Sequence, residues 1–293
     1  MNSSSFVLST SLALIVAVAG CAESAPQAPA ATAKTPKTVA KPKARKAPTD
    51  KGGELLFVAG GSFQFTFTVG KSSVRSQKTV TIPSFWLDRT EVTVAAYGKC
   101  LAEGVCEDAA NERPDCNAGN PKRGSNPVNC VNWEMASGFC RWAGKTLPSE
   151  EQWEYAATAG SEQRLYPWGK TPPGKLICWK RWSSPSPGFP EGGCNSDDGC
   201  EDTGSCAVGT YKLDTSRDGI LDLGGNVTEW TSTVFTTKFG KMVAARGGSW
   251  QDGISPDDAK SLARHEVQAS RYERANPQVG FRCALDASDS DEQ

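Results

Sequence analysis

The sequence predicts a mixed α+β domain with low regular secondary structure, and three observations point there. Three short segments carry a helix cap followed by apolar residues at helical spacing. Short runs of strand character lie before and after them, and the connections are long and rich in Gly, Pro, Asn and Asp. Nine tryptophans are many for a chain with so little periodic structure. Each can bury roughly 200 Å² while its N–H finds a loop carbonyl, so aromatic packing is expected to bridge the irregular segments.

In chain order, residues 6–19 form an apolar run that fits the hydrophobic region of a signal peptide and is short for a bilayer span. The run ends in Val18-Ala19-Gly20-Cys21, which resembles a bacterial lipobox. Residues 1–21 therefore read as a lipoprotein signal peptide, with lipidation at Cys21. Residues 22–52 read as a disordered tether: positions 22–50 hold nine Ala, five Pro and six Lys or Arg with almost no large apolar side chain. One folded domain is expected over 53–285, followed by an acidic disordered tail at 286–293. Strand candidates are 55–58, 63–68, 80–82 and 242–245. Thr93 can cap a helix carrying Val94, Tyr97, Cys100 and Leu101 on one face and stopping at Gly104. Asn132 can cap a second, with Ala136, Phe139, Cys140 and Ala143 before Gly144. Ser149 and Gln152 form a capping-box pattern ahead of Trp153, Ala156 and Ala157, with Gly160 as the stop. Gly224-Gly225 and Gly247-Gly248 mark turns that need positive φ or close backbone approach.

Charge and cysteine content exclude several functions. Lys+Arg is 32 against Asp+Glu 33, so the chain lacks the basic excess of a nucleic-acid binder, and no nucleic-acid partner is expected. A single histidine excludes multi-histidine metal sites. Setting Cys21 apart from the eleven cysteines leaves ten, an even set that reads as up to five disulfides in an oxidising compartment. Cys100 and Cys106 can close a helix-end loop, and Cys116 can meet Cys130. The pairing of Cys178, Cys194, Cys200 and Cys206 stays open; their five-residue spacings favour disulfides over zinc.

Ordered blocks across residues 55–285 then point to a family. They are Thr90-Glu91-Val92-Thr93; Asn126-Pro127-Val128 with Val131-Asn132-Trp133; the run from Trp142 to Ala157; and Tyr166-Pro167-Trp168-Gly169. Further on come Gly225-Asn226-Val227-Thr228-Glu229-Trp230, Arg246-Gly247-Gly248-Ser249-Trp250 and Gly280-Phe281-Arg282-Cys283. In this order they closely resemble the formylglycine-generating-enzyme (sulfatase-modifying-factor) domain. The resemblance implies an α+β fold related to C-type lectins, with low regular secondary structure supported by disulfides and calcium. It implies a disulfide between Cys140 and Cys283. It also implies structural calcium on the side chains of Asp222 and Glu229 and the carbonyls of Gly225 and Val227. A second site would begin at Asn195 and the Ser196 carbonyl, with Asp202 as a completing acid.

The catalytic positions depart from the family pattern. The enzyme holds Cu(I) on two cysteines shortly after the Arg-Gly-Gly-Ser-Trp block, because soft thiolates suit that ion. Here Asp252 and Asp257 occupy those positions, Thr228 stands where a groove tryptophan is usual, and Gln278 stands where the enzyme has asparagine. Hard carboxylates cannot replace the thiolates, so copper is not expected. The resemblance places Arg246, Ser249, Trp250, Asp252, His265, Gln278 and Arg282 at a groove. The expected function is a lipid-anchored, catalytically degenerate binding module for a peptide, glycan or envelope protein. Its expected location is the outer membrane or periplasmic face of a bacterial envelope. The alternative is an oxidoreductase or protein-modifying enzyme using non-copper chemistry at the same groove.

Overall fold

The computed structural model describes residues 51–68, 75–109, 113–171, 173, 176–179, 204–237, 240–251 and 275–287. All of them lie within one unit, 42–293. Cys21, Cys194, Asn195, Ser196, Cys200, Asp202, Asp252, Asp257 and His265 fall outside the described residues.

The elements run β1 (Leu55–Val58), β2 (Gly61–Thr68), β3 (Arg75–Ile82), β4 (Phe85–Asp88), α1 (Val94–Ala102), α2 (Trp133–Trp142) and α3 (Glu150–Ala157). They continue with β5 (Thr228–Thr237), β6 (Gly240–Arg246), β7 (Val279–Gly280) and β8 (Ala284–Asp286). The strands form three small sheets, β1-β4-β8, β2-β3 and β6-β5-β7; only the β5–β7 pair is parallel. This is the expected architecture: short elements, long connections.

The helices start where local chemistry places them. Thr93 accepts from Ala96 N, Asn132 from Met135 N, and Ser149 and Gln152 close a reciprocal capping box. Gly160 does not end α3, which stops at Ala157. Leu101 lies off the buried face of α1 at 38% exposure. The expected strand at 80–82 is the apolar end of β3, whose earlier residues are polar and pair with β2.

Among the described residues the two larger of four buried apolar clusters lie against the helices. One gathers Tyr97, Phe139, Trp230 and Phe281 between α1, α2 and the β5–β7 sheet, with Phe139 and Phe281 edge-to-face at 5.6 Å. The other gathers Phe63, Phe65, Phe85, Leu87, Trp153 and Tyr155 between β2–β4 and α3. Of the tryptophans in the motif blocks, Trp153, Trp230 and Trp250 are buried, whereas Trp133, Trp142 and Trp168 are partly exposed.

Among the described residues four disulfides tie the loops: Cys100–Cys106, Cys116–Cys130, Cys140–Cys283 and Cys178–Cys206. The first three match the expected pairs, and the fourth supplies one pairing that the sequence left open. Cys140–Cys283 joins α2 to the segment between β7 and β8 across 143 residues.

Candidate functional site

The residues picked out by sequence gather where β5, β6 and β7 begin or end. Strand β6 delivers Arg246 into the turn Gly247-Gly248-Ser249-Trp250. Gly247 has φ +89°, and an added Cβ would sit 3.0 Å from the Trp153 ring, so only glycine lets this turn close over α3. The turn before β5 folds back on 177–178: a Cβ at Gly225 would meet the Cys178 carbonyl at 2.8 Å. Asp222 and Asn226 flank it in the left-handed region, at φ 61° and 71°. The two turns lock together because Trp250 N donates to the Asn226 carbonyl at 2.7 Å, and Asn226 N donates to the Cys178 carbonyl at 2.9 Å. Trp250 Nε1 reaches the Pro277 carbonyl at 3.2 Å, and Thr228 N reaches the Gln278 carbonyl at 2.9 Å. Gln278 is half-buried at this seam, and Ser249 is 2% exposed with its hydroxyl accepting from Gln251 N at 3.3 Å.

The two arginines assigned to the groove are internal. Arg282 has no exposed side-chain surface. Its Nε and Nη2 donate to the two carboxylate oxygens of Glu229 at 2.7 Å each. The remaining donors take three carbonyls: Asp88 at 3.0 Å, Arg89 at 3.3 Å and Leu221 at 2.9 Å. Burial alone would lower the pKa of this guanidinium, but the charge and hydrogen bonds of Glu229 hold it above its usual value. Arg246 is 1% exposed and pairs with Glu150 and, at 3.0 Å, with Glu154; its guanidinium lies 5.3 Å from the centre of the Phe65 ring. Neither arginine faces solvent. The physical reason is that each has a bidentate-competent acid or a pair of acids waiting in the core, where an unpaired guanidinium would be strongly disfavoured.

Sequence reasoning missed those partners. Glu150 and Glu154 stand four apart on α3, one turn of the same face, which is a readable signal for two acids sharing one cation. Glu91, on the loop between β4 and α1, completes a second acidic group with Asp214, Asp222 and Glu229. Burial pushes Glu91 and Asp214 well above the usual carboxyl range, and their acidic neighbours add to it. Burial also raises Asp222 to about 6.

The expected calcium ligands are committed elsewhere. Glu229 accepts from Arg282 on both oxygens and from Trp153 Nε1 at 2.8 Å. Asp222 accepts from Gly209 N at 2.5 Å. Among the described residues no cluster of three or more His, Cys, Asp or Glu is arranged to hold a metal. A cation needing six to eight oxygens does not fit a carboxylate already neutralised by a guanidinium. The Asp222 and Glu229 side chains are thus held by protein donors, and Asn195 and Ser196 lie outside the described residues.

Chemically the described residues show a hydrogen-bonded seam and buried ion pairs: Arg282 with Glu229, Arg246 with Glu150 and Glu154, and Lys145 with Asp88. Their eight cysteines are all oxidised as disulfides.

Residues 40–287 match the family model described as the sulfatase-modifying factor enzyme 1-like domain. The inactive C-alpha-formylglycine-generating enzyme 2 of Bos taurus is 35% identical over 163 residues, covering 55% of this chain and 50% of that protein. The formylglycine-generating enzyme of Streptomyces coelicolor is 32% identical over 182 residues, covering 56% and 54%. The chain spans about half the length of these curated relatives. Among solved structures, PvdO from Pseudomonas aeruginosa has a TM-score of 0.61 at 20% identity, covering 83% of this chain and 100% of that one. CarF has a TM-score of 0.57 at 20% identity, covering 80% and 98%. These two share the fold.

Proposed function

The chain belongs to the sulfatase-modifying factor enzyme 1-like domain family, and from that premise we propose that it is a catalytically degenerate member acting as a binding module. The observation that carries this reading is the run from 207 to 282, which contains no cysteine at all. The family's copper chemistry needs a thiolate pair shortly after Trp250, and aspartates stand at 252 and 257 instead. Identity alone does not decide: the relative named inactive and the one named as the enzyme match at 35% and 32%. The thiol content supports the degenerate reading.

The surface proposed for a peptide, glycan or envelope protein is the one presented by Gln251 and Gln278, beneath which Ser249 and Trp250 are buried at 2% and 5% exposure. Arg246 and Arg282 are buried in ion pairs with Glu150, Glu154 and Glu229 and are not part of that surface. Four disulfides support export to an oxidising compartment, and the apolar run ending in Val18-Ala19-Gly20-Cys21 supports a lipid anchor. Cys21→Ala is expected to release the protein from membranes on fractionation. For the catalytic question, the purified chain is incubated with Cu(I), dioxygen and a cysteine-containing peptide. No aldehyde product above the protein-free control is expected. Catalytic conversion of the peptide would contradict the binding-module reading and favour an oxidoreductase at this seam.

A further inference from the structure

Where the described chain begins, a lysine has already settled on an acid and an indole. The Lys51 ammonium is 2.7 Å from Glu103 Oε2 and 4.4 Å from the centre of the Trp142 ring, and Trp142 Nε1 donates to the same carboxylate at 2.7 Å. A surface cavity of about 400 Å³ lies along α2, lined by Arg141, which precedes Trp142 in the chain, and by Val105, which follows Glu103 by two residues. Trp133, Glu134, Ser137 and Arg141 line it from α2, and Val105 and Glu107 from the loop after α1. Val105 is 58% exposed, and neighbouring Leu101 adds further uncovered apolar surface. Arg141 is the one basic lining residue, and it donates to Ser137 Oγ at 2.8 Å. The cavity thus repeats the Lys51 contact in larger form: an indole and two carboxylates with apolar surface between them.

The sequence just upstream supplies the complement. Residues 42–50, Pro-Lys-Ala-Arg-Lys-Ala-Pro-Thr-Asp, carry Lys43, Arg45 and Lys46 against one acid. We infer that this segment of the chain docks in the α2 cavity, with Lys46 and Arg45 set against Glu134, Glu107 and the Trp133 ring. The reach is adequate. Five residues from Lys51 to Lys46 extend to about 17 Å, and α2 from Trp142 to Glu134 is about 12 Å long. A cation beside two carboxylates and over an indole gains from both contacts. The consequence is that the tether leaves the domain along a fixed track. This inference stands apart from the binding-module reading.

The test uses the full chain. At low ionic strength, zero-length carbodiimide cross-linking is expected to join Lys43 or Lys46 to Glu107 or Glu134 within one molecule. Tryptic cleavage after Lys43, Arg45 and Lys46 is expected to be slower, by about threefold, than in a Glu107→Gln/Glu134→Gln variant. High salt should abolish the difference, because the pairs lie at the surface. The salt comparison on the unmodified chain keeps the test open even if the variant misfolds. Equal cleavage at low and high salt would overturn the inference, as would cross-links found only between two copies.

Discussion

Replacing Arg282 with methionine isolates what the buried guanidinium contributes. The substitution removes two 2.7 Å charge-assisted hydrogen bonds to Glu229 and three bonds to the carbonyls of Asp88, Arg89 and Leu221. It also leaves the Glu229 carboxylate, which has no exposed surface, with only the Trp153 indole as donor. Breaking a buried pair from one side typically costs about 3–5 kcal/mol, because the surviving charge is stranded. Against a total stability of about 5–15 kcal/mol for a domain, that is a large fraction. At about 2–4 °C per kcal/mol for a domain of this size, the melting midpoint should fall by about 10 °C. Urea denaturation monitored by tryptophan fluorescence reads the same loss in free energy. Adding Glu229→Gln to Arg282→Met should recover part of it, since the stranded charge is then gone. A loss under about 1 kcal/mol for the single variant, or no recovery in the double, would refute the assignment of Arg282 to the core ion pair.

Three further outcomes are expected. Cys140→Ser/Cys283→Ser opens a loop of 143 residues; the chain-entropy model gives a loss of about 5 kcal/mol, and a melting midpoint within a few degrees of the parent would count against it. Burial raises the Asp222 carboxyl to about 6 from 3.8, so the folded chain binds this proton more tightly than the unfolded chain. Its stabilising contribution is therefore full below about pH 4 and is lost as pH rises through 6, and Asp222→Asn should flatten that slope and add up to about 3 kcal/mol at neutral pH. Identical pH–stability curves for the two proteins would show the assignment to be wrong. Because the Asp222 and Glu229 carboxylates are taken by protein donors, a calcium chelator should leave the melting midpoint in place; a drop of several degrees, restored by calcium, would reinstate a calcium site.

What the sequence made legible was mostly local. Thr93, Asn132 and Ser149 announce their helices because a cap is a contact within three residues. Strand β4 was not legible: Phe85, Trp86, Leu87 and Asp88 are all buried, so the alternation that marks a half-exposed strand is missing. β5 was read only as a sequence block, because a run of threonines signals neither a turn nor a core. The site was legible as a set of positions but not as an environment. Arg246 and Arg282 look like surface charges in the sequence. Their burial depends on Glu150, 96 residues from Arg246, and Glu229, 53 residues from Arg282, and no spacing rule encodes such pairs. Cys178–Cys206 was closed to sequence for the same reason, since four cysteines allow three connectivities.

The central claim is the proposal that this chain, with aspartates at 252 and 257, lacks the thiolate pair on which a formylglycine-generating enzyme would hold Cu(I). The direct measurement is the Cu(I) affinity of the folded, disulfide-intact protein, by competition with a chromophoric chelator. The account predicts that the protein takes no Cu(I) from the chelator. Stoichiometric, high-affinity capture of one Cu(I) per chain would contradict it.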